Sequence, residues 1–119
     1  PFLDALLDRE WKLVALHESD EIIRPKVGRT HTMTLSRNNG VAGRNDCNSY
    51  SGTFSLVKGN WLKFGKNFMS TRMLCMRDSI DFKFFKSLKT SKGFEVDGDK
   101  LKLYYGDNAE YWMEFREND

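Results

Sequence analysis

The chain has 119 residues, of which 39% are hydrophobic and 30% charged, with 19 basic and 17 acidic side chains giving a formal charge of +2. That balance fits one globular domain with its own core and excludes the disordered, highly charged class. Basic and acidic residues read as alternating rather than blocked, which argues against general nucleic-acid binding, and no run approaches the ~20 apolar residues of a membrane-spanning helix.

Phe2, Leu3, Leu6 and Leu7 have helix-like spacing and suggest a short N-terminal helix. Trp11, Leu13 and Ala15 then alternate with Lys12, Val14 and Leu16 as a strand with one buried face. Ser19 to Arg29, with Pro25 and Gly28 and little periodicity, reads as a long loop. Met33 and Leu35 alternate with Thr32, Thr34 and Ser36 as a further strand.

Four clusters punctuate the remainder of the chain: Asn38-Asn39-Gly40, Lys58-Gly59-Asn60, Asp97-Gly98-Asp99 and Gly106-Asp107-Asn108. Each supplies residues that tolerate the positive φ of tight hairpin turns, so an antiparallel sandwich or barrel is expected. Between Asp78 and Leu88, Ile80, Phe84, Phe85 and Leu88 recur at helical spacing. This predicts a helix over about 78–89, with Asp78 as its N-cap, Asp81 in the first turn, Lys86 and Lys89 near the end, and an apolar stripe laid over the core. Leu101 and Leu103, then Tyr111, Met113 and Phe115, alternate with polar neighbours in a C-terminal hairpin.

Chemistry-bearing signatures are scarce. There is no Gly-x-Ser-x-Gly elbow, phosphate loop, dinucleotide fingerprint, Cys-x-x-Cys pair or His-Glu-x-x-His helix. His17 and His31 read as ordinary strand or loop histidines, and Lys83, Lys86, Lys89 and Lys92 as a solvated helix face and turn. Asp97, Asp99 and Asp107 fail the spacing of a calcium loop and are better explained by their turns. Trp61, Trp112, Phe64 and Phe68 read as core aromatics in preference to a stacking platform. No catalytic residue, metal ligand or cofactor site is assigned. Cys47 and Cys75 leave two readings open: a disulfide closing a loop of roughly 28 residues and stabilising by about 3–4 kcal/mol, or two separate thiols.

The segment Gly43-Arg44-Asn45-Asp46-Cys47-Asn48-Ser49-Tyr50-Ser51-Gly52 stands out, followed by Ser70-Thr71-Arg72-Met73-Leu74-Cys75 and the Phe84, Phe85, Leu88 helix. Together with Trp11-x-Leu13 at the start and Leu101-x-Leu103 near the end, this order resembles the META domain family, which includes the HslJ-like heat-shock-associated proteins. The likeness covers nearly the whole chain, residues 1–119. Asp46 stands where the family usually has Gly before the first Cys, and Asp is among the residues that tolerate a left-handed backbone.

The resemblance implies a mainly β (α+β) fold: an antiparallel, partly open β-barrel with one helix packed across it, similar to secretion-pilot lipoproteins. It also implies a non-enzymatic protein of the bacterial periplasm or outer membrane, linked to stress, motility, virulence or secretion. The chain begins at Pro1 without an initiator Met, so its natural N-terminus is out of view, and the periplasmic or outer-membrane location is expected if a targeting signal precedes it. The expected partner is another protein, an envelope or secretion component. A second reading is a carrier of lipid or another apolar ligand beneath Phe84, Phe85 and Leu88. For the loop residues Asn45, Asp46, Asn48 and Tyr50, a structural role comes first, with turns and bulges at Gly43 and Gly52, and a recognition surface beside the barrel gap second.

Overall fold

The computed structural model describes residues 2–45, 48–71 and 80–118, and comprises two short helices and ten strands among them. Helix α1 (Phe2–Leu6) leads into β1 (Glu10–Glu18), β2 (Glu21–Ile23), β3 (Thr32–Leu35), β4 (Gly40–Asn45), β5 (Asn48–Leu56), β6 (Leu62–Phe64) and β7 (Met69–Ser70). Helix α2 (Asp81–Lys89), β8 (Ser91–Asp97), β9 (Lys100–Tyr105) and β10 (Tyr111–Glu117) complete the chain.

Every pairing is antiparallel, in the order β6-β5-β4-β3-β1-β10-β9-β8, with β2 added to β1 and β7 to β5. The sheet curls until β8 comes back against β6. There the contact is a single bridge, Trp61 to Gly93, with the Phe94 N–H donating to the Asn60 carbonyl at 3.0 Å and Asn60 Nδ2 donating to the Phe94 carbonyl at 3.1 Å. The barrel is therefore nearly closed, with one unsealed seam. A bulge between Ser91 and Gly93 in the β8–β9 ladder lies beside this bridge.

All four expected turns form, and their positive-φ positions are Asn39, Gly59, Gly98 and Gly106. Inside, Trp11 and Leu13 face the core as their alternation predicts; a bulge between Leu13 and Ala15 then breaks it, so that Leu16, opposite Met113, turns into the core and Ala15, opposite Glu114, is buried on the other face. Met33, Leu35, Phe64, Phe94, Leu101, Leu103, Met113 and Phe115 fill the barrel interior. Helix α2 closes one end with Phe84 and Leu88 buried, and Phe85 partly so. Each such aromatic or aliphatic side chain contributes roughly 1.5–3 kcal/mol by leaving water. The Trp11 indole N–H donates to the Leu6 carbonyl at 3.0 Å, which anchors α1 on the core.

Three expectations need correction. Glu21–Ile23 is not loop but strand β2, because Ser19 takes a positive φ and folds Ile22 back opposite His17. Helix α2 starts at Asp81 with Ile80 in the cap position and no side-chain cap; the expected cap, Asp78, lies outside the described residues. Nor do the charges alternate evenly: residues 48–94 hold nine Lys or Arg against two Asp or Glu, and residues 95–119 hold three against eight. Among the described residues no helix is long and apolar enough to cross a membrane.

Candidate functional site

The β4–β5 hairpin carries most of the residues that the sequence singles out. Within it Gly43 lies opposite Tyr50, and Asn45 opposite Asn48. The Tyr50 ring passes over Gly43 and its hydroxyl donates to the Thr32 carbonyl on β3 at 2.6 Å. A Cβ on Gly43 would run into that carbonyl oxygen and lie 2.8 Å from the Tyr50 hydroxyl, so the position requires glycine. At Gly52 a Cβ would sit 2.8 Å from the Phe68 ring.

Tyr50 is only 3% exposed and meets Phe68, Phe84 and Phe85 edge-on, at centroid distances of 6.0, 5.8 and 5.2 Å. Burial pushes its phenol well above the ordinary tyrosine range. Asn48 accepts a hydrogen bond from the Thr71 hydroxyl at 2.7 Å, and Thr71 Oγ1 in turn accepts from the Ser49 N–H at 3.1 Å. The two sequence motifs are thus pinned together. Asn45 is buried, and its Oδ1 has no hydrogen-bond partner among the described residues. Asp46, Cys47 and Cys75, with the disulfide question, lie outside the described residues.

A second polar group fastens the helix. His31 Nε2 lies 2.8 Å from Asp81 Oδ1, tying the start of α2 to the segment that enters β3. Glu18 receives Lys83 Nζ at 2.7 Å and the Tyr105 hydroxyl at 2.7 Å, one on each carboxylate oxygen. Burial works against ionisation of Glu18, but the hydrogen bonds from Lys83 and Tyr105 outweigh it and hold its carboxyl below the usual range. Burial, then the bond to Glu18, raises the Tyr105 phenol. On the outer face His17 stacks on Trp112 at 4.7 Å and approaches Glu114 at 3.3 Å. Among the described residues no group of three His, Cys, Asp or Glu is placed to hold a metal ion.

The seam carries a different kind of surface. Strand β6 turns Leu62 and Phe64 inward, so Trp61 and Lys63 face outward by the two-residue period. Trp61, expected in the core, is 53% exposed, and Val57 across the turn is 68% exposed. They form one side of a cleft of about 500 Å³ whose other wall is Lys89 to Lys92, at the end of α2 and start of β8. Lys92 Nζ donates to the Asp107 carbonyl at 3.2 Å, which fixes it at the rim. Lys63, Lys89 and Lys92 make no ion pair among the described residues, in contrast to Lys83 with Glu18. Beyond the Trp61–Gly93 bridge a second hollow of about 410 Å³ is lined by Gly59, Asn60, Phe94, Glu95 and Val96.

The META domain matches residues 4–118 of this sequence, nearly the whole chain. The chain belongs to the META domain family. This META domain is also similar to a protein from Burkholderia xenovorans solved by NMR, at 26% identity and a TM-score of 0.78, covering 98% of this chain and 86% of that one. A DUF4847 family protein from Bacteroides vulgatus shares the fold at 14% identity and a TM-score of 0.70, covering 99% and 98%. A further protein solved by NMR matches at 17% identity and a TM-score of 0.66, covering 95% and 92%. No curated protein matches the sequence. The resemblance read from the Gly43 to Gly52 segment, and the partly open barrel it implied, are both correct.

Proposed function

We propose that this META domain is a non-catalytic binding module of the bacterial envelope or stress response, and that it engages another protein through the face of its barrel seam. The observation that carries this reading is the exposure of Trp61 and Val57 in a cleft beside the one boundary where β6 and β8 are not laddered. Exposed aromatic residues in concave, partly apolar sites are the usual anchors of protein interfaces.

The polar groups that a catalyst would draw on are engaged in holding the fold: His31 with Asp81, His17 with Glu114, and Glu18 with Lys83 and Tyr105. The reading of Asn45, Asn48 and Tyr50 as a recognition surface has less support, since all three are buried. The carrier alternative also has less, because Phe64, Phe84, Phe94, Phe115 and Leu101 fill the interior that a lipid would need.

A photoreactive residue placed at position 61 in the full-length gene product, expressed in its own cells, tests the proposal. Cross-linked protein adducts are expected from position 61, with few from Ile22 on the β2 edge. Equal yields from both positions, or none from position 61, would overturn it. Native mass spectrometry of the gently purified protein is expected to show the bare chain mass; a stoichiometric lipid would favour the carrier.

A further inference from the structure

We infer that the seam cleft is built for an extended, acidic protein segment with an apolar anchor, an inference that rests on the binding-module reading and narrows it to one ligand chemistry. Three features on the same face support it. The wall of the cleft offers apolar surface at Val57 and Trp61, enough to seat one aliphatic or aromatic side chain. Around that surface stand Lys63, Lys89 and Lys92, against one acidic lining residue, Asp107; all three lysines are without carboxylate partners among the described residues, in the stretch of chain where basic residues outnumber acidic ones nine to two.

The third feature is the seam itself: β6 meets β8 at the Trp61–Gly93 bridge and has no ladder to it. A ligand lying along this edge would be extended, as strand edges select. Past the bridge, the second hollow carries Glu95 and mainly apolar neighbours, so the basic character is confined to one end of the seam. A bound segment would accordingly place its carboxylates toward Lys63, Lys89 and Lys92 and its uncharged end toward Val96. A concave cleft with the charge on its walls suits side chains of a peptide better than the flat surface of an anionic bilayer.

The probe is a short fluorescent peptide alternating Glu and Leu, with its Gln-for-Glu counterpart, titrated against the intact chain at low and physiological salt. Binding of the acidic peptide, weakened by salt and at least about tenfold tighter than the Gln version, is the expected result. The double variant K63E/K89E should lose about tenfold or more toward the acidic peptide and gain affinity for a Lys-Leu peptide, a reversal that a misfolded variant could not show. Trp61→Ala should weaken both pairings. Equal binding of the Glu and Gln peptides overturns the inference, as does binding of phosphatidylglycerol vesicles or an oligothymidine with no binding of the acidic peptide. If the peptides fail while position 61 still yields protein adducts in cells, the acidic chemistry falls and the binding-module reading stands; loss of the adducts removes both.

Discussion

The β4–β5 corner and the β6–β8 seam divide the labour of this domain in opposite ways. In the corner, Gly43, Asn48, Tyr50 and Gly52 are the residues that give the sequence its signature, and each is committed to an internal contact: Tyr50 to Thr32 across Gly43, Asn48 to Thr71, Gly52 to Phe68. At the seam, Val57, Trp61, Lys63 and Lys89 form no motif, and their side chains are directed outward. A close-packed hairpin tolerates few alternatives, so it leaves a legible pattern. An open surface can accept many sequences and leaves none.

Substitutions separate the two regions by the size of their effects. The largest cost is expected at the corner's support: Phe84→Ala removes a fully buried ring that packs against Tyr50 and should destabilise by about 3–5 kcal/mol in urea denaturation. Gly43→Ala should follow at about 1–3 kcal/mol, because its Cβ meets backbone at Thr32 and not the flexible end of a side chain. Tyr50→Phe keeps the ring and loses the buried hydrogen bond, for about 1–2 kcal/mol. Trp61→Ala should change stability by less than about 1 kcal/mol, while weakening binding of the acidic peptide. A seam substitution as damaging as Phe84→Ala would erase the distinction.

The pH profile sharpens it further. Glu18 has its carboxyl held below the ordinary value, so its contribution is present above about pH 4.3 and is lost as pH falls through its lower folded value. Glu18→Gln should flatten the acid side of the stability curve. Tyr50 and Tyr105 have phenols raised by burial, so their contribution is complete below about pH 10 and declines as pH rises from there. Tyr50→Phe should delay alkaline unfolding. Lys63→Gln at the seam should leave both limbs where they are.

Much of the barrel could be read in advance for reasons that are local. Gly59, Gly98 and Gly106 announce turns because few other residues take positive φ readily, and the helical stripe of α2 survives in the spacing of Phe84 and Leu88. Strand β2 could not be read so, because its evidence is tertiary: Ile22 and Ile23 become strand by pairing with His17 and Leu16 across a turn at Ser19, which is not a typical positive-φ residue. The start of α2 shifted because Ile80, a residue with no capping group, occupies the position that Asp78 was expected to fill.

At the candidate site the signal lies in the alternation: with Leu62 and Phe64 as the inward pair, Trp61 and Lys63 fall outside. The concentration of basic residues between 48 and 94 is likewise visible once charges are counted by segment instead of over the whole chain. What no pattern in one sequence supplies is the junction of Asn48 with Thr71, or of Lys63 with Lys89 around one cleft. Those are products of the fold.

Site-specific cross-linking in cells, comparing position 61 with position 49 on the exposed side of the motif hairpin, tests the central claim most directly. The account predicts partner adducts from position 61, diminished by K63E/K89E, and little from position 49. Adducts confined to position 49 and insensitive to the lysine reversals would contradict it, and would return the binding role to the β4–β5 corner.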